Sequence, residues 1–357
     1  MGDLHLKCFC RHLRSSIKTM INNIAEIEPL LKAATKPKII ITTHHKPDAD
    51  ALGSSLGLYN FFLELGIVST VISPSDYGNF LKWMPGEKSV LNFEQSPEIC
   101  AKLTQEADFV FCLDFNSLSR INKFGEVVRA SSAKKVLIDH HLEPEGFQDY
   151  GLWSTEASST CELIYLFIEK LNCAHLINAN IAECLYAGIM TDTASFKHNN
   201  TTATTHRVAA QLLKAGASST KIYEAIYDNF SPERTRLIGF ALNEKMQILR
   251  EYSTALICLT ADELKKFQVS TGDTEGLVNY GLSIKGIKLS VLIIDRLAAR
   301  KMSFRSKGSF PANEFARTYF NGGGHFSAAG GESSEPIEAV EKKFKSLLKN
   351  YSTILCN

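Results

Sequence analysis

Five segments of this sequence carry side chains that could do chemistry together. The first holds His44, Asp48 and Asp50 within HHKPDADALGSSLGL. In a loop, this spacing can aim two groups at one cation and the third at a neighbouring cation. Paired cations, about 3.5–4 Å apart, clamp the attacking and leaving oxygens of a phosphoryl transfer. Oxygen and imidazole donors without thiolates favour Mn²⁺ or Mg²⁺ over structural Zn²⁺. The second segment is CLDFNSLSRI with Asp114, the third is Asp139-His140-His141, and the fourth is GIMTDTASF with Asp192. Of two adjacent imidazoles, one can bind metal while the other meets substrate as hydrogen-bond donor or proton source. Asp139 would then orient a ring. The fifth is Gly322-Gly323-Gly324-His325, followed by Ala328-Ala329-Gly330-Gly331. Successive glycines let backbone N–H groups approach a phosphate or a base closely. Arg305, near the end of KMSFRS, offers a bidentate phosphate grip.

Each segment also has a plainer reading. An Asp-rich turn can simply cap a helix, and Asp114 or Asp192 taken alone reads as a cap. Two histidines can be solvated in a loop, and a glycine run can be a flexible turn. Arg120 either pairs with a carboxylate or is solvated.

These groups need elements to position them. The spacing predicts an amphipathic helix over 17–34. KPKIIITTHH reads as a strand over 38–43, and GSSLGLYNFFLEL as a helix ending at Gly66. IVSTVIS, DFVFCLDF and KKVLIDHH read as further strands. Strands separated by helices predict a parallel sheet covered on both faces. Ligands of such sheets gather beyond the carboxyl ends of the strands. His44, Asp114 and the 139–141 run all stand there. A helix beginning at Ile181 delivers Asp192 at its exit, and THRVAAQLLKAG forms the next helix, stopping at Gly216. Beyond it, MQILREYSTALICLTADELKKF reads as hairpin then helix, with KLSVLIID and KMSFRS as strands. ANEFARTYF is a short helix, NGGGHFSAAGG a glycine-rich turn, and PIEAVEKKFKSLLKNY a terminal helix.

A chain of 357 residues implies two domains at ~150 residues each. The net charge of +1 provides no global basic field. An anionic substrate must be held locally, and a processive nuclease would want a basic track. The nine cysteines are odd in number and form no CxxC pair. A reducing, cytoplasmic setting is expected, without disulfides or a zinc–thiolate site. The opening residues lack the apolar core of a secretory signal. Their Met-Gly start is not joined by the second membrane signal that a lipid anchor needs. No apolar run approaches a membrane span.

Taken in order, HHKPDADALGS, LDFNSLSR, IDHH, GIMTDTASF and GGGHFSAAG resemble the DHH phosphoesterase superfamily, from about residue 36 to 345. The resemblance implies an α/β fold: an N-terminal DHH domain with a parallel sheet flanked by helices, and a smaller C-terminal DHH-associated domain with a mixed sheet. The implied division is a helical extension over 1–35, the metal-binding catalytic domain over 36–215, a linker over 216–240, and the substrate-binding domain over 241–357. It implies two divalent ions, Mn²⁺ foremost with Mg²⁺ as the alternative. His44 and Asp48 look like ligands of one, Asp50 and His140 of the other, and Asp114 and Asp192 are shared. His141, oriented by Asp139, looks like the group facing the scissile phosphate. Arg305, Gly323, Gly324 and His325 look like the nucleotide grip, in a C-terminal domain that closes over the substrate. His45 departs from the pattern and is expected to be a bystander. The two-domain layout resembles the nano-RNase A type, bifunctional oligoribonucleases and 3′-phosphoadenosine 5′-phosphate (pAp) phosphatases. Nothing after residue 350 could house the extra OB-fold domain of RecJ-type exonucleases. Short RNA or DNA oligonucleotides or pAp are the expected substrates, with no membrane partner and a homodimer as a candidate assembly. The rival readings are an exopolyphosphatase or pyrophosphatase, a phosphodiesterase for linear dinucleotides derived from cyclic ones, and a nucleotide-binding sensor without turnover.

Overall fold

The computed structural model describes residues 22–270 and 272–356. The chain divides into two compact units, Met1–Asn229 and Phe230–Asn357.

The first unit is built on six parallel strands. They are β1 (Ile39–Thr43), β2 (Ser69–Ser73), β3 (Leu91–Asn92), β4 (Phe109–Leu113), β5 (Lys134–Asp139) and β6 (Tyr150–Trp153), in spatial order β3-β2-β1-β4-β5-β6. Side chains alternate across a strand, and the core divides accordingly. Ile39, Ile41, Phe109, Phe111, Val136 and Ile138 enter one core, whereas Ile40, Val110, Cys112 and Leu137 enter another. Both faces are buried, so β1 and β4 read as continuous apolar runs rather than alternating ones.

Helix α1 (Ala49–Glu64) follows β1, α2 (Pro97–Gln105) precedes β4, and α3 (Lys123–Ala130) links β4 to β5. After β6 the chain is helical: α4 (Thr160–Lys170), α5 (Ala179–Asp192), α6 (Ala203–Lys214) and α7 (Ser219–Tyr227). Part of the helix expected over 17–34 lies outside the described residues. What is described holds only a short 3₁₀ turn, Ile24–Ile27, and one helical turn, Glu28–Leu31.

The second unit opens with α8 (Pro232–Phe240) and forms a mixed sheet. Its strands are β7 (Met246–Leu249), β8 (Thr254–Leu259), β9 (Leu289–Asp295), β10 (Arg300–Ser306), β11 (Gly323–His325) and β12 (Ala328–Ser333). Only β8 and β9 run parallel. Helices α9 (Ala261–Lys266), α10 (Ala312–Tyr319) and α11 (Ile337–Leu348) accompany it, with short helical turns at Asn279–Leu282 and Ser352–Cys356. Phe304, Phe310, Phe315, Phe320 and Phe344 fill its core. The segment 216–240, expected as a linker, carries α7 and α8, and α7 buries Ile222 and Ile226 in the first unit's core. No helix among the described residues is long and apolar enough to cross a membrane.

Candidate active site

Strand register sets the site's geometry. Thr43 pairs with Leu113, and Leu113 pairs with Ile138. The residues that follow, His44, Asp114 and Asp139, therefore leave neighbouring strands at one level. Strand order reverses direction between β1 and β4, the switch point where open α/β sheets hold ligands.

The loop after β1 turns sharply into α1. Lys46 takes a left-handed φ of 55° and its N–H donates to Ser75 Oγ at 2.8 Å. Asp48 is the N-cap of α1, its Oδ1 accepting from the Asp50 and Ala51 N–H groups, each at 3.0 Å. Capping uses Oδ1 alone, and Oδ2 stays turned toward His44 Nε2 at 3.9 Å. His44 is buried, not on the surface. Asp114 is no helix cap: it sits at φ 64°, and the next short helix is capped by Ser117. Asp192 closes α5 instead of opening a helix. The chain then makes a left-handed turn through Ala194, Ser195 and Phe196, at φ 48°, 59° and 67°.

Two groups of donors result. His44, Asp48 and Asp114 each present a donor atom within 4.8 Å of the others, as do Asp50, His140 and Asp192. Asp114 joins the groups, with Oδ2 at 3.4 Å from His44 Nε2 and Oδ1 at 3.4 Å from His140 Nε2. His140 Nε2 also lies 3.4 Å from Asp192 Oδ2 and 3.8 Å from Asp50 Oδ2. The His141 ring is turned 75° to that of His140. Its Nδ1 donates to Asp139 Oδ1 at 2.8 Å, and Trp153 of the edge strand β6 holds its carbonyl at 2.6 Å. His45 faces away, with Nδ1 at 3.9 Å from Glu94.

The electrostatics fit a cation pair. Burial, then the charge of Asp114, pushes the Asp50 carboxyl up to about 7. Burial, then Asp50, raises Asp192 well above the ordinary range. Burial favours neutral Asp114 too, but the His140 and His44 rings outweigh it and hold its carboxyl well below that range. Burial also opposes charge on His140, yet Asp114 and Asp192 raise its pKa well above normal. Buried carboxylates that draw protons so strongly are short of positive charge, and divalent cations answer that shortage with hard oxygen and imidazole donors. Cys161 is buried beside Asp50, but its Sγ is turned toward the backbone oxygens of Asp50 and Cys184.

The seam between α1 and α5 lies beneath the site. A Cβ on Gly53 would stand 2.5 Å from the Cys184 carbonyl oxygen, and one on Gly188 would stand 2.7 Å from Asp50 Oδ1. These glycines let the helix carrying Asp50 approach the helix carrying Asp192.

In the second unit, NGGGHFSAAGG is a β-hairpin instead of a plain turn, with Gly323 paired to Gly330 and His325 to Ala328. Gly322 and Gly324 are there for backbone approach: a Cβ on either would meet the Gly330 or Ala328 carbonyl at 2.1 or 2.6 Å. A Cβ on Gly323 would meet nothing within 4 Å. Arg305 pairs with Ala328, so Arg305 and His325 flank Ala328 in one cross-strand row and share a sheet face.

Sequence reasoning missed the donors behind the carboxylates. The Thr160 and Cys161 N–H groups donate to Asp50 Oδ2 and Oδ1 at 2.7 and 2.8 Å, and Thr160 Oγ1 donates to Asp114 Oδ1 at 2.8 Å. Ser159 three residues before Glu162 is the pattern that opens a helix, and it was the available signal.

Comparison with known proteins gives two domain matches: the DHH family, N-terminal domain, over residues 38–189, and the DHHA1 domain over 253–355. The chain is 31% identical over 294 residues to the bifunctional oligoribonuclease and PAP phosphatase NrnA of Bacillus subtilis, covering 82% of this chain and 88% of that one. It is 31% identical to the NrnA of Thermus thermophilus, covering 85% and 86%. A crystal structure of an exopolyphosphatase-related protein from Bacteroides fragilis superimposes with a TM-score of 0.89 at 40% identity, covering 94% of this chain and 98% of that one. RecJ from Thermus thermophilus in complex with Mn²⁺ shares the fold, at a TM-score of 0.52 and 14% identity, over 93% of this chain and 55% of that one.

Proposed function

This chain belongs to the DHH family, and from that membership we propose that it is a two-cation phosphoesterase. Its substrates are short oligonucleotides and pAp, hydrolysed to mononucleotides. The observation that carries the reading is the pair of donor groups joined through Asp114.

His44 and Asp48 would hold one divalent ion, Asp50 and His140 the other, with Asp114 and Asp192 shared. Mn²⁺ is the preferred ion and Mg²⁺ the alternative. When bound, such ions grip phosphate oxygens and lower the pKa of water. The chain's other groups act around them. Asp139 accepts from His141 Nδ1 and so fixes the ring's orientation, presenting Nε2 for proton transfer to the leaving oxygen. The row of Arg305 and His325, with the open backbone at Gly323, is suited to bind phosphate and base of a nucleotide. The near-neutral chain favours a compact substrate over a long strand. A cytoplasmic setting belongs to the same proposal, supported by the free thiols of the described cysteines.

The test is hydrolysis of pAp, a dinucleotide and polyphosphate by purified protein with Mn²⁺, beside Asp114→Asn. Asparagine tolerates the left-handed backbone at this position but removes the charge. We expect turnover of pAp and the dinucleotide, lost in the variant. Preference for polyphosphate would overturn the substrate assignment, and undiminished activity of Asp114→Asn would overturn the site.

A further inference from the structure

The amino end of α4 stands behind the candidate cation site, and none of its residues belongs to the six proposed ligands. We infer that Thr160 is a positioning residue that locks the carboxylates of Asp50 and Asp114 to each other and so sets the spacing of the two cations. This rests on the two-cation reading above.

Thr160 is fully buried and reaches both carboxylates at once. Its N–H and that of Cys161 each hold one Asp50 oxygen, at 2.7 and 2.8 Å. Its Oγ1 donates to Asp114 Oδ1 at 2.8 Å. Asp50 and Asp114 come from different elements, the first turn of α1 and the residue after β4, and Thr160 hydrogen-bonds to both. A carboxylate turns freely about its last torsion unless its oxygens are held. The Thr160 hydroxyl fixes Oδ1 of the residue that joins the two donor groups.

The turn that carries Thr160 is itself braced. Glu162 is buried, and its Oε2 accepts from Ser158 Oγ at 2.6 Å, Ser158 N at 3.2 Å and Thr205 Oγ1 at 2.8 Å. Asn200 donates to the Ser158 carbonyl at 2.9 Å. A buried carboxylate satisfied by hydroxyl and amide donors is a rigid anchor. It ties the start of α4 to the capping box of α6. Groups that orient ligands in this way typically influence metal affinity or activity about 10–100-fold.

The test compares Thr160→Val, which keeps the shape but removes the hydroxyl, with Thr160→Ser, which keeps the hydroxyl. Calorimetric titration of metal-free protein with Mn²⁺ gives number and affinity of sites. Electron paramagnetic resonance reports the magnetic coupling of the pair, and kcat and KM are measured on pAp. We expect Thr160→Val to weaken at least one Mn²⁺ by about 10–100-fold, to change the coupling and to lower kcat more than it raises KM. Thr160→Ser should restore all three. Should the valine variant fail to fold, Thr160→Ala makes the same comparison. Wild-type affinity and coupling without the hydroxyl would overturn the inference and leave the two-cation reading intact. A serine variant as weak as the valine one would also overturn it, by assigning the effect to packing of the methyl group. Wild-type protein that binds no Mn²⁺ would instead remove the reading on which the inference stands.

Discussion

Gly188→Ala is the substitution whose effect is most closely determined by the geometry. The added Cβ would stand 2.3 Å from Cys161 Sγ, 2.7 Å from Asp50 Oδ1 and 2.9 Å from Asp50 Cα. Carbon atoms sit comfortably near about 3.5–4 Å from one another, so a gap of roughly 1 Å must open. Turning a side chain cannot relieve the clash with the Asp50 backbone: α1 and α5 must separate, and Asp50 moves with α1. Overpacking of this kind costs about 1–3 kcal/mol, and the better helix propensity of alanine returns about 1 kcal/mol. The net loss, up to about 2 kcal/mol, lowers the melting temperature of a unit this size by up to roughly 8 °C. Mn²⁺ affinity should fall at least about tenfold, because sites need their donors within about 0.5 Å of the working geometry. Scanning calorimetry without metal and titration with Mn²⁺ measure the two effects. Gly239→Ala is the control. Gly239 is exposed on α8 and a Cβ there meets nothing within 4 Å, so the same change should stabilise by about 0.5–1 kcal/mol. If Gly188→Ala were stabilised like the control and bound Mn²⁺ as the wild type does, the seam would not position Asp50.

Two more expectations follow from the site. The Asp50 carboxyl is raised to about 7 by burial and then by Asp114. A raised folded-state pKa gives stability that is full at low pH and is lost as pH climbs through about 7. The metal-free protein should therefore lose stability between about pH 4 and 7 through this group. Mn²⁺ needs the ionised form, so its affinity should weaken below about pH 7 and its binding should release protons. Titrations at pH 6 and 8 in buffers of different ionisation enthalpy read this directly, and equal affinity with no proton release would contradict it. Separately, Ser195→Gly relieves one left-handed residue at φ 59°. That relief is about 1–2 kcal/mol, set against about 0.5–1 kcal/mol of extra chain entropy. Thermal unfolding should show slight stabilisation, and a loss of about 1 kcal/mol would refute the strain.

What the sequence disclosed depended on how much of each element is buried. IIITT, FVFCL and VLID announce β1, β4 and β5 because both faces of the sheet are covered; His44 and Asp114 directly follow the first two, and the third ends on Asp139. β6 escaped notice: it is an edge strand of four residues, half-buried at its ends and interrupted by Gly151. The β11–β12 hairpin read as a turn because glycine has low strand propensity. Its glycines are required by contacts with a partner strand that only the fold reveals. Asp114 and Asp192 looked like caps in isolation because a cap and a ligand use the same short acid. Their neighbours in space, not in sequence, separate the two uses. The N–H groups of Thr160 and Cys161 were invisible for a simpler reason, since every residue but proline has one.

The proposed ligands stand just after β1, β4 and β5, in the first turn of α1 and at the end of α5. Cations held there would fasten segments far apart along the chain, much as a clip closes a long loop. Occupancy and intactness of this unit then form a single equilibrium. Divalent metal supply would then bear on the protein's stability as well as on its turnover.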